Sequence, residues 1–273
     1  MRLTAAAPLA ALLLAAAPAG AQQQDGQSPP TGPDPSMRQE LSDADRYAAC
    51  LDLAHRDPEA AVERARTWAD TGGGDPARHC EAVALMAAGA YEQAAEKLET
   101  LAQRMDKEHG AALRADALAQ AARAWILAGR PGRGAAALGQ AIELTPQDVE
   151  LWIDRAHARF QQGRYWEAID DLNRASELAP ERPDIYTYRG SAYRFVEAPQ
   201  MARENIDRAL ELDPDNPGAL FELGILHRLQ GDKDAARQAW IKLLRVAPDA
   251  PIADAARENL EKMDVKVEEE AGS

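Results

Sequence analysis

Cysteine is scarce: two in 273 residues exclude a disulfide-dense scaffold and a four-thiolate metal centre, and leave room for a single cystine. Aromatic residues make up only 5% of the chain, so a core here is assembled from Ala and aliphatic side chains rather than large rings. Cations are the minority, 31 Lys and Arg against 45 Asp and Glu, and the net charge of -14 works against nonspecific binding to DNA, RNA or anionic lipid headgroups. No His-Glu-x-x-His, Gly-x-Ser-x-Gly or phosphate-binding loop occurs, and the five His are scattered. Gly132-Arg133-Gly134-Ala135-Ala136-Ala137 has the letters of a dinucleotide fingerprint but follows a helix pattern rather than a strand. Asp213-Pro214-Asp215-Asn216-Pro217-Gly218 starts like a calcium loop, yet Pro217 replaces a ligand and Gly224 stands where the bidentate Glu belongs. We therefore expect no enzyme, no cofactor and no metal.

What is present is a helical composition, 46% apolar and 28% charged, that suits a folded chain. The apolar run from Leu3 to Ala17 is short of the roughly 20 residues a spanning helix needs. Arg2 precedes it and Ala19-Gly20-Ala21 follows, so residues 1–21 read as a cleaved signal peptide. The next Cys is Cys50, which excludes a lipid anchor at a new N-terminus. The expectation is export without later membrane insertion, into the periplasm of a Gram-negative bacterium given the Ala- and Arg-rich composition. Residues 22–42 form a flexible leader rich in Gln, Pro and Gly, and residues 265–273 an acidic tail.

Between these ends the chain repeats. Pro146, Pro180, Pro214 and Pro248 recur every 34 residues. Small residues keep the same interval at Ala122, Ala156, Gly190 and Gly224, and at Gly134, Ala168, Ala202 and Ala236. Large ones do so at Leu118, Trp152, Tyr186 and Leu220, and at Leu138, Leu172, Ile206 and Trp240. Each unit divides into two helical stretches separated by a break such as Gln161-Gln162-Gly163-Arg164. Small residues let the two helices cross closely while the large ones fill the space around the crossing. A single unit cannot bury its apolar face alone, so stacking is required.

The stretch from Trp152 to Pro180, with Ala156, Gly163, Tyr165, Ala168 and Ala175, resembles the tetratricopeptide repeat family. The resemblance implies an all-α, right-handed α-solenoid of about six helical hairpins with a closing helix. Residues 43–110 would be degenerate N-terminal hairpins, 111–248 four units in register, and 249–264 the closing helix. Six extra residues near Met105 to Gly110 interrupt the period as a loop or a lengthened helix. Arg155, Arg189 and Asp171 depart from the family pattern and read as ion pairs within and between repeats. Glu197 and Pro199 replace the turn Gly and the aromatic after it, so the fifth unit is expected to bend differently.

Such arrays commonly hold a protein or peptide on the concave surface lined by their first helices. Projecting the helical period places Arg123, then Ile153, His157 and Phe160, then Ser191, Arg194 and Phe195, then Phe221, Ile225 and Arg228 on that surface. Phe beside Arg and His suits a peptide groove. Cys50 and Cys80 fall on first helices that stack side by side in the family, which makes them a disulfide candidate. The reading is a noncatalytic protein-binding scaffold. Two rivals stand beside it: an envelope thiol-redox or metal-dependent protein using Cys50, His79 and Cys80, and a self-assembling repeat module.

Overall fold

A computed structural model of the chain describes residues 42–105 and 110–271. The signal peptide and nearly all of the leader lie outside the described residues, as do residues 106–109 of the interruption. Proline marks where many of the helices start: Pro58, Pro131, Pro183, Pro199 and Pro217 each open one, because the ring presets a helical φ and the missing N–H would have no partner in the first turn. Thirteen helices follow among the described residues. Six pairs are α1 (Asp43–Arg56) with α2 (Pro58–Asp70), α3 (Gly74–Ala87) with α4 (Tyr91–Arg104), α5 (Gly110–Leu127) with α6 (Pro131–Leu144), α7 (Val149–Gln161) with α8 (Tyr165–Leu178), α9 (Pro183–Phe195) with α10 (Pro199–Leu212), and α11 (Pro217–Leu229) with α12 (Lys233–Val246). The last, α13 (Ala253–Ala271), packs on α12.

This is the expected all-α repeat of helical hairpins, with two adjustments. The interruption ends in a lengthened first helix, since α5 has 18 residues where α7 has 13. The closing helix runs on to Ala271, through most of the segment read as a tail, because nothing from Ala253 onward breaks it: no Pro or Gly intervenes before Gly272.

The crossing of each pair is set by reciprocal residue size. Where Gly224 stands, Trp240 fills the gap, and a Cβ at that position would lie 2.3 Å from the indole nitrogen. Gly190 faces Ile206 in the same way, at 2.7 Å. In the two preceding pairs, Ala122 and Ala156 occupy the small position with Leu138 and Leu172 opposite, all of them buried. The indole N–H of Trp240 donates to the Phe221 carbonyl at 3.1 Å, which removes the cost of burying it.

A second seam within the pairs is polar, between residues 16 apart. Lys97 donates to Glu81 at 3.0 Å, Arg155 to Asp171 at 2.7 Å and Arg189 to Asn205 at 2.6 Å. The equivalent positions hold Ala121 with Ala137, and Leu223 with Ala239. Asp171 is buried and also accepts from Arg159 at 2.6 Å, so the expected ion pairing holds there. Arg189 departs from the expectation: its acceptors are Asn173, Asn205 and Ser176, all uncharged. Burial lowers its pKa from the usual guanidinium value.

The turn inside the second to sixth pairs uses a left-handed residue, whereas the first pair turns through Asp57 at φ -148°. Gly89, Gly129, Gly163 and Gly231 supply it with φ between 72° and 85°. In the fifth pair Glu197 adopts φ 58°, the only non-glycine residue with positive φ among the described residues. The fifth unit therefore keeps the turn of its neighbours rather than bending differently, at the cost of a strained side chain. Left-handed backbone costs a non-glycine residue roughly 1–2 kcal/mol, partly offset by the extra freedom of glycine in the unfolded chain. Glu197→Gly should therefore stabilise the fold by about 0.5–1 kcal/mol. Urea unfolding checks this, and an unchanged or lower midpoint would show that the turn carries no such strain.

Candidate functional site

The first helices α5, α7, α9 and α11 carry every residue expected in the groove, and the structure divides those residues by burial. Ile153 is 3% exposed and packs with Ile185, while Ile225 is 9% exposed in the core that includes Trp240. Both belong to the core between helices rather than to an accessible surface, because neighbouring helices cover the face that a helical projection leaves open. Phe221 is half-buried in the same core, 6.5 Å from Trp240. His157 is half-buried and meets Tyr188 edge-on at 4.2 Å, and burial pushes its pKa below the usual imidazole value. Ser191 is half-buried, whereas Arg123 and Arg228 are exposed.

Phe160, Arg194 and Phe195 are brought together. Phe195 is 44% exposed at the end of α9. Tyr165, from the first turn of α8, stacks on it at 4.8 Å, and Phe160 stands edge-on to both rings at 5.0 Å. Arg194 lies 4.4 Å from the Phe195 ring centre and is fixed by Glu222, which accepts from Nε at 2.8 Å and from Nη2 at 3.1 Å. The result is a preformed aromatic platform whose outer ring meets solvent. Three of the exposed large apolar residues, Leu127, Phe195 and Leu229, close successive first helices and share one column of the repeat, with Gln161 in the remaining place. That column was readable from the 34-residue period, whereas the Tyr165 contact was not.

Carboxylates gather toward the other end of these helices. Asp154 has its pKa raised chiefly by burial, with Glu150 and Asp148 adding to the rise and Arg123 opposing it. Asp116 is raised by burial and then by Asp148. Tyr188 is raised by burial and then by Asp184. The face is thus acidic at one end and aromatic with guanidinium groups at the other.

At the far end of the array Cys50 and Cys80 are bonded, with Cα atoms 6.2 Å apart, and tie α1 to α3. Both residues are at most 1% exposed, which shields the bond from an attacking thiolate. His79 beside it is held by two elements: Nδ1 accepts from the Tyr47 hydroxyl at 2.7 Å, and Nε2–H donates to Gln120 Oε1 at 3.0 Å. Burial lowers its pKa and favours this neutral form. These contacts make the Cys50, His79 and Cys80 group a structural junction. Among the described residues no group of His, Cys, Asp and Glu could hold a metal ion, and no helix is long and apolar enough to cross a membrane.

Profiles of the tetratricopeptide repeat match residues 123–189 and 189–251. Among solved structures, PilF of Pseudomonas aeruginosa superimposes with a TM-score of 0.56 at 15% identity, covering 80% of this chain and 99% of that one. YrrB, described as a TPR protein with an unusual peptide-binding site, gives 0.53 at 18% identity over 66% of this chain and 90% of its own. MamA of Desulfovibrio magneticus RS-1, from its residue 41 onward, gives 0.53 at 16% identity over 76% and 98%. At these identities the likeness is one of fold. No curated protein matches the chain in sequence.

Proposed function

We propose that this chain, which belongs to the tetratricopeptide repeat family, is a noncatalytic protein-protein interaction scaffold that holds a peptide or partner helix against the face lined by its first helices. The single observation that carries the reading is the platform of Phe160, Tyr165 and Phe195 with Arg194 over it. Its rings are locked before any partner arrives, so little side-chain entropy is lost on binding, and a half-exposed aromatic beside a guanidinium is the kind of anchor that dominates interfaces. The peptide-binding site described for YrrB is a precedent on a similar fold. Export to the periplasm is part of the same proposal. It rests on residues 1–21 and is supported by the buried cystine, which needs an oxidising compartment to form.

The test uses exposed residues only. Arg194→Glu would set a second carboxylate against the buried Glu222, and Phe221→Ala would open the core beside Trp240, so both changes confound binding with folding. Phe195→Ala with Arg228→Glu removes the outer ring of the platform and reverses one exposed charge without touching the core clusters, and thermal melting checks that the fold is kept. Partner capture from an envelope extract, followed by affinity measurement with the captured protein, should show a loss of about tenfold or more in the double variant. Equal affinity in both forms would remove the first-helix face as the binding surface.

A further inference from the structure

The repeat geometry provides the same crevice at several places along the stack, flanked by second helices of successive pairs and floored by the first helix between them. In the fourth and fifth pairs the chain fills it. Trp152 anchors there by donating its indole N–H to the Pro146 carbonyl, with Arg155 4.9 Å from its ring centre. Tyr186 does the same with the Pro180 carbonyl, with Arg189 at 5.1 Å and Arg208 at 5.8 Å. In the second pair the aromatic position is taken by Arg78 and the position of Arg155 by Glu81. The plug is absent, and a cleft of about 350 Å³ lies open between α2, α3 and α4.

Its walls are cationic in a chain whose net charge is -14. Arg66, Arg78, Lys97 and Arg104 line it, against Asp70 and Glu81. Glu81 is buried to 4% side-chain exposure and accepts from both Arg66 and Lys97 at 3.0 Å. One carboxylate thus orients two cations, Arg66 meeting a second, exposed carboxylate in Glu63 at 3.3 Å, and both keep about half their side-chain surface in solvent, 47% and 48%. Arg78 pairs with Asp75 at 3.1 Å beside the opening. Arg104, in the last turn of α4, is exposed and makes no ion pair with any described residue.

We propose that this cleft binds a small oxyanion bearing two negative charges, held by Arg104 and Arg78 together with the faces of Arg66 and Lys97 that Glu81 leaves open. Four cations against two carboxylates line the walls, with Glu63 and Asp75 pairing from outside the lining, and the guanidinium groups offer paired N–H donors to the paired oxygens of a dianion. A phosphate group and a dicarboxylate share this chemistry. The site does not depend on the proposed groove, since its lining comes from α2, α3 and α4 rather than from α5, α7, α9 and α11.

Isothermal titration of the full chain with inorganic phosphate and, separately, with succinate at constant ionic strength tests it. Saturable one-to-one binding of either is expected, and which one binds more tightly identifies the source. Arg104→Ala should weaken that binding about tenfold, the effect of losing one charge-assisted contact, while Lys262→Ala on α13 leaves it unchanged. Arg78→Gln is the second variant, and thermal melting confirms that each remains folded. Absence of saturable binding for both anions, or equal affinity in the Arg104→Ala and Arg78→Gln proteins, would overturn the proposal.

Discussion

Asp171→Ala is expected to lower unfolding stability by about 3–5 kcal/mol, the usual range for removing one partner from a buried charge pair. Its carboxylate is 2% exposed and takes three hydrogen bonds from Arg155 and one from Arg159, whose side chains are 15% and 20% exposed. Without it, two guanidinium groups stay desolvated with no counter-charge, and that penalty rather than the lost attraction sets the size of the effect. The chain contains its own control. At the same two positions the sixth pair carries Leu223 and Ala239, so Arg155→Leu with Asp171→Ala should recover at least half of the loss. Arg159 can then turn toward solvent. Urea denaturation of the three proteins decides: a loss under 1 kcal/mol for Asp171→Ala would mean that water already screens the pair, contrary to its burial.

Replacing both Cys50 and Cys80 by Ala should cost about 3.6 kcal/mol in the chain-entropy treatment of a loop of about 30 residues. The loss should also be local. In a repeat stack each unit is stabilised by its neighbours, and among the described residues α1 with α2 has a neighbouring pair on one side only. The cluster around the bond is small, Cys50, Ala65 and Cys80 with Tyr47 and Leu51 packed against it. Hydrogen exchange should therefore accelerate over residues 43–70 and remain near its original rate in α7 to α12. Faster exchange spread evenly through all six pairs would show that the array unfolds as one unit and that the bond is no local staple. Reduction of the unmodified protein should reproduce the pattern slowly, because both sulfurs are buried.

The two variants probe parts of the molecule that differ in how far they can be read from residues alone. The cystine follows from two Cys on adjacent first helices. The Asp171 hub is half legible: Arg155 and Asp171 stand out as departures from the repeat, but the seam changes chemistry from one pair to the next, from Glu81 with Lys97 to Arg155 with Asp171 to Arg189 with Asn205. A column that alternates acid and base looks irregular until the separation of 16 residues is applied to it. The turn at Glu197 shows the opposite case, where the residue type predicts a different bend and the surrounding pair imposes the left-handed backbone regardless.

Periodicity by itself determined the pairing of helices in the four units in register and the reciprocal sizes at their crossings, because those depend on residues a fixed distance apart in one chain; the two N-terminal hairpins came only from the family resemblance. Which first-helix residues are accessible was decided only by tertiary structure. Ile153 and Ile225 lie on the projected face of their helices, yet adjoining helices cover them, while Phe195 stays half-exposed because Tyr165 supports it from the next helix rather than covering it. The cationic cleft was decided in the same way: Arg66, Arg78, Lys97 and Arg104 are ordinary surface residues in sequence, on three different helices. They acquire a common space only because Arg78 occupies the position that an aromatic plug fills elsewhere in the stack.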